Sequence, residues 1–191
     1  MHELFFKKIR EKISLSEEDE QLMRSHLIPK KIRKKQYLLQ EGDVCKYGAF
    51  VEKGMLRSYT IADNGNEHIV QFAPEGWYIS DLYSCISGEP ATQNIDAIED
   101  SELILLRFTS QEYLIQKIPQ YEHFVRLQMQ GAYIALQKRL TSMFNLTTEE
   151  KYARFLNIYP DIVQRVPQHM IASYLGLTPE TLSRSRKRKM P

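Results

Sequence analysis

The sequence predicts an α+β chain: short antiparallel strands in its first half, then a long helix, then a small all-α segment ending in two helices joined by a tight turn. Three observations predict it. Between Leu27 and Phe108, short β-like runs alternate with turn signals. After Phe108 the apolar period turns helical, and no proline interrupts the stretch that follows Pro119 as far as Asn145. From Gln168 to Lys187, Ala172, Gly176 and Leu182 stand at the offsets that two closely crossing helices require. With 42% hydrophobic and 26% charged residues among 191, wholesale disorder and collagen-like repeats are excluded.

Leu4 to Ile13 has apolar residues at helical spacing. Ser16 is placed to cap a second helix, with Glu17, Glu18 and Asp19 favouring its dipole. Strand-like runs follow at 37–39, 49–51, 56–61, 69–72, 95–98 and 103–108, with turns at Glu41-Gly42-Asp43 and Lys53-Gly54. Asp63-Asn64-Gly65-Asn66 is a strong hairpin signal, since Gly65 takes a positive φ at no steric cost. Strands this short and this closely spaced imply an antiparallel sandwich or barrel rather than βα units.

Beyond Phe108, Thr109 or Ser110 is placed to cap a short helix through Lys117. The long helix from Pro119 to Asn145 carries two apolar stripes: Phe124, Leu127, Gly131 and Ile134, and then Met129, Tyr133, Leu136, Leu140 and Met143. The second has a coiled-coil rhythm. Two stripes require two surfaces, either the β-domain and a second copy of the helix or two sides of one monomer's core. Asn145 to Thr148 reads as a joint, and Thr147-Thr148-Glu149-Glu150 as a capping box opening a helix that Pro160 stops. The expected divisions are 1–118, 119–145 and 146–191.

Net charge is only +2, but it is unevenly distributed: the last 27 residues carry +5 and the other 164 carry −3. That split points to a polyanionic partner for the C-terminal part. Cys45 and Cys85 are too few for a disulfide framework, a thiolate zinc site or a four-cysteine cluster. The N-terminus lacks the apolar core of a signal peptide, and the longest aliphatic run, Leu103 to Leu106, is far too short for a membrane span. A cytoplasmic protein without a membrane partner is expected.

In the C-terminal pair, Pro167 is suited to a first helical turn, Ile171, Ala172 and Leu175 form the inner face, and Gly176 permits the turn. Thr178 caps the second helix, Pro179 occupies its first position, and Leu182 points inward. Its outward face reads Glu180, Thr181, Ser183, Arg184 and Lys187. This is groove chemistry: Arg184 matches guanine O6 and N7, Glu180 accepts from cytosine N4, and Ser183 adapts to either. Thr178, Thr181, Gln168 and His169 are placed for phosphates, and Lys187 for non-specific attraction.

The order of these elements resembles the Crp/Fnr family of bacterial transcription regulators over nearly the whole chain. The resemblance is carried by 51–57 (VEKGMLR), 72–77 (FAPEGW) and 171–184 (IASYLGLTPETLSR). It implies an N-terminal antiparallel β-roll, jelly-roll-like and similar to a cyclic nucleotide-binding domain. It further implies dimerisation through the long helix and a helix-turn-helix; because the chain ends soon after the second helix, the wing of longer relatives is expected to be missing or reduced. Glu180, Ser183 and Arg184 resemble the Fnr-type base-reading trio, which implies half-sites related to TTGA. The implied partners are double-stranded DNA, a second copy of the chain and RNA polymerase.

The chain departs from cyclic-AMP-binding members, whose cassette has Gly-Glu-Leu for the ribose and Arg-Ser for the phosphate. Here those stretches resemble Ser80-Asp81-Leu82 and Ala91-Thr92, so the phosphate has no cation and cyclic AMP is not expected. Trp77, Tyr83, Tyr133 and Leu136 either line a pocket for an unidentified small molecule or fill it themselves. No cofactor, metal or catalytic residue is expected: the five histidines are scattered, and there is no phosphate loop or nucleophile elbow. The rival reading is a ligand-binding or protein-docking β-roll without DNA binding.

Overall fold

The computed structural model describes residues 2–189, with side chains as far as Arg186. The chain forms two compact units, one of residues 2–60 and 71–129, the other of 61–70 and 130 onwards. The division falls within the long helix, and the tip of the 56–73 hairpin belongs to the second unit.

The first unit opens with α1 (Glu3–Arg10) and α2 (Glu17–His26). Ser16 and Asp19 cap α2 reciprocally, as the acidic first turn predicts. The N-terminus of α1 has no local side-chain cap. Its orphan amides are met from across the fold, Leu4 and Phe5 donating to the two carboxylate oxygens of Glu52 at 2.8 and 3.2 Å.

Eight strands follow: β1 (Leu27–Ile32), β2 (Tyr37–Leu39), β3 (Tyr47–Lys53), β4 (Leu56–Ile61), β5 (Glu67–Ala73), β6 (Tyr78–Ile79), β7 (Asn94–Ala97) and β8 (Ser101–Arg107). They build two four-stranded antiparallel sheets, ordered β1-β8-β3-β6 and β2-β7-β4-β5. Central β8 explains its unbroken run of apolar residues. Leu103 and Leu105 join the core with Leu39, Val51, Leu56 and Ile95, while Ile104 and Leu106 join a second core with Phe5, Met23, Phe50 and Leu114. A strand buried on both faces needs no alternation. The Gly54 turn between β3 and β4 has φ +91°, and a Cβ there would stand 2.3 Å from Ser101 Oγ and 2.7 Å from the Asp100 carbonyl.

α3 (Leu82–Ser87), β6 and α7 (Ile162–Arg165) are elements that periodicity does not reveal, because none is long enough to complete two helical turns or several alternations. α4 (Phe108–Lys117) starts directly from β8 with Arg107 at its N-cap. Neither Thr109 nor Ser110 caps it, because both lie inside the helix. The Phe108 amide instead donates to the Lys46 carbonyl at 3.3 Å.

Long helix α5 (Pro119–Asn145) spans the predicted residues. Of its first stripe, Phe124 is buried in the core with Ile118 and Tyr121, whereas Ile134 is exposed. The second unit continues with α6 (Thr148–Ile158), α8 (Gln168–Leu175) and α9 (Pro179–Lys189), with α7 between α6 and α8. Thr147 and Glu150 form the predicted capping box of α6. Pro167 is the N-cap of α8 rather than its first residue. No helix among the described residues is long and apolar enough to cross a membrane.

Candidate nucleic-acid interface

The turn between α8 and α9 is built as its residues dictate. Gly176 adopts φ +68° and the Leu177 amide donates to the Ala172 carbonyl at 2.9 Å, closing the end of α8. Thr178 Oγ1 accepts from the Thr181 amide at 3.2 Å and lies 3.1 Å from the Thr181 hydroxyl. Both hydroxyls therefore take part in the cap of α9. Ala172 and Leu182 are buried, as a close crossing requires, and so are Ile162, Val166, Ile171 and Leu175. Three aromatic rings cluster in the same unit: Phe155 lies 5.1 Å from Tyr159 and 5.2 Å from Tyr174, centroid to centroid.

With Leu182 inward, helical spacing leaves Glu180, Ser183 and Arg184 on one side of α9. Glu180 and Arg184 are exposed, and Ser183 and Thr181 are partly so. The Glu180 carboxyl is held below the usual carboxylate range by the backbone N–H at the start of α9, then by the Thr178 hydroxyl and the Arg184 charge. Gln168 and His169 are exposed in the first turn of α8. The side chain of Lys187 lies outside the described residues.

Arg139, Ser173 and Tyr174 are residues that sequence reasoning missed. The tip of the β4–β5 hairpin lies against α8: the Ile69 amide donates to Ser173 Oγ at 2.9 Å, and that hydroxyl donates to the Glu67 carbonyl at 2.7 Å. From α5, Arg139 donates to the carbonyls of Val70, of Ile69 at 3.1 Å and of Tyr174 at 3.0 Å. No local pattern announces this, because every partner lies far along the chain and most of the acceptors are main-chain oxygens.

On α5, Tyr133, Leu136, Leu140 and Met143 are 65%, 64%, 54% and 46% exposed in the single chain. Met129, also exposed, continues the row on the part of α5 that belongs to the first unit. An exposed row this long is unusual for an isolated soluble chain.

The cassette residues divide between the core and the surface. Asp81 is buried, its two oxygens accepting from the Ser84 and Thr92 amides at 3.1 Å each. Ala91 is buried, Ser80 half-buried, and Trp77, Leu82, Tyr83 and Thr92 are exposed. The roll does have a cavity of about 510 Å³, but it is lined by other residues, among them Leu39, Val44, Cys45, Tyr47, Ile95 and Leu105. Among the described residues, no three His, Cys, Asp or Glu side chains gather as a metal ion would need.

The cyclic nucleotide-binding domain family matches residues 29–117. The regulatory protein HlyX of Actinobacillus pleuropneumoniae is 27% identical over 166 residues, covering 81% of this chain and 68% of HlyX. The fumarate and nitrate reduction regulatory protein of Yersinia pestis is 28% identical over 166 residues, covering 81% of this chain and 66% of its own length. The match thus spans about two thirds of each relative. In fold, the chain is similar to FixK2 from Bradyrhizobium japonicum, with a TM-score of 0.72 at 22% identity over 85% of this chain and 83% of that one.

Proposed function

We propose that this chain, which belongs to the Crp/Fnr family of DNA-binding transcriptional regulators, acts as a homodimer on a two-fold-related DNA site, with α9 entering the major groove. The observation that carries this reading is the polar face of α9. Glu180, Ser183 and Arg184 stand on a helix whose one apolar anchor, Leu182, is buried on the opposite side. Arg184 pairs with a guanine, Glu180 with a cytosine amino group, and Gln168 and His169 approach phosphates from the start of α8. Two α9 helices brought together by α5 would read half-sites about one helical turn apart, related to TTGA.

The exposed apolar row on α5 supports the dimer, since pairing two such rows removes each from water. The +5 charge of the last 27 residues supports a polyanionic partner, and the setting is the cytoplasm. RNA polymerase is the further partner this role requires. The activity is regulatory, without a catalytic step.

Cyclic AMP is not the effector on this reading. The position matching the family's phosphate-binding arginine is Ala91, and the neighbouring Thr92 amide already serves the buried carboxylate of Asp81. A second anion there would meet that charge without a compensating cation. Selection from random duplexes is expected to recover a palindrome; recovery of none overturns the proposal. Thermal shift with cyclic AMP is expected to show no saturable stabilisation.

A further inference from the structure

Two thiols meet in the first unit. Cys45, in the loop between β2 and β3, and Cys85, on α3, are far apart in sequence, yet their sulfurs lie 3.5 and 4.0 Å from the same acceptor, the Tyr47 carbonyl. The backbone holds them there: the Cys45 amide donates to Ser84 Oγ at 2.9 Å, next to Cys85 in the chain. Gly42 donates to the Ala91 carbonyl, and Ala91 to that of Asp43, tying the same loop down again. Cys45 is buried but lines the cavity of about 510 Å³, and Cys85 is half-buried, so a small solute has a route to the pair.

We propose that Cys45 and Cys85 are a redox modification site, closing to a disulfide on reaction with a hydroperoxide and cross-linking the β2–β3 loop to α3. The Cys45 thiolate attacks the peroxide; the S–O bond forms as the O–O bond breaks, and the departing oxygen takes a proton to leave as alcohol or water. Cys85 then attacks the sulfenic sulfur. The S–S bond forms, the S–O bond breaks, and hydroxide leaves as water with the proton of Cys85. Two thiols and one hydroperoxide give one disulfide, one alcohol or water and one further water; the sulfurs supply both electrons.

Cys45, which lines the cavity, is the attacking sulfur. The influence of the neighbouring Cys85 thiol outweighs burial and the charge of Asp81, bringing the Cys45 thiol down to about 7. Cys85 is pushed well up, chiefly by the neighbouring Cys45 and then by burial, which suits it to resolving rather than attacking. This inference stands apart from the DNA-binding reading, since it concerns only the roll.

The test uses the full chain with hydrogen peroxide. The expected product, by denaturing mass measurement, is a single uncrosslinked chain lighter by two hydrogens, with one linked peptide pair containing Cys45 and Cys85, reversed by a dithiol reductant. In C85S, Cys45 is expected to accumulate as a sulfenic acid trapped by dimedone, several-fold faster than in the urea-unfolded chain. In the wild-type protein, phenylarsine oxide, which bridges two neighbouring thiols, is expected to bind one per chain and block the linkage. Cross-links only between chains, no arsenical binding, or Cys45 no more reactive folded than unfolded overturns the proposal.

Discussion

The Arg139 guanidinium lies over the ring of Tyr174, 4.0 Å from its centroid, and donates to the carbonyl of the same residue. With its bonds to Ile69 and Val70, one side chain of α5 joins the hairpin tip to the first helix of the helix-turn-helix. Replacing it with Ala removes several charge-assisted bonds and a cation–π contact, at a cost of about 1–3 kcal/mol. Urea unfolding measures the loss. R139K should recover only part of it, because an ammonium lacks the planar fork that reaches three carbonyls.

Arg57 and Asp96 face each other across β4 and β7, Nε to Oδ1 at 2.8 Å and Nη2 to Oδ2 at 3.0 Å, both nearly enclosed. Removing one partner strands a buried charge. R57M or D96N alone should therefore cost about 3–5 kcal/mol, and the double variant less than the two together. A double-mutant cycle in urea reads the coupling; additive losses would mean that the pair does not act as a unit.

Two glycines with positive φ should respond differently to alanine. At Gly65 nothing lies within 4 Å of the added Cβ, so only backbone strain of about 1–2 kcal/mol is expected. At Gly54 the Cβ would also strike Ser101 and the Asp100 carbonyl. G54A should cost clearly more than G65A, as the difference between their urea midpoints will show.

For DNA binding, R184A should lose about 1–3 kcal/mol against its preferred site and relax selectivity at one base pair. Its melting temperature should stay near wild type, because the side chain is exposed. Binding measured against a panel of single-base variants separates this from a general loss of affinity. For the dimer, Asp at both Tyr133 and Leu140 should give monomers by sedimentation; an unchanged mass would remove this row as the seam.

The thiol pair has a pH signature. Alkylation of Cys45 should rise with pH through about 7, and in C85A the midpoint should move up, because the neighbouring thiol that stabilises the thiolate is gone. Mass-resolved alkylation rates follow Cys45 alone.

What could be read along the chain shares one property: its cause is local. The Ser16 and Thr147 caps, the limits of α5, the Gly65 hairpin and the Gly176 turn each depend on residues within a few positions, so composition and spacing announce them. The polar face of α9 was legible for the same reason, since inward Leu182 and outward Glu180 and Arg184 follow from helical period alone. Tertiary structure decided what depends on distant groups. Glu52 caps α1, Arg139 and Ser173 hold the hairpin tip, Asp81 takes the Thr92 amide, and Cys45 meets Cys85. These partners are mostly main-chain amides and carbonyls, which every residue carries alike. Only folding selects which of them a side chain reaches.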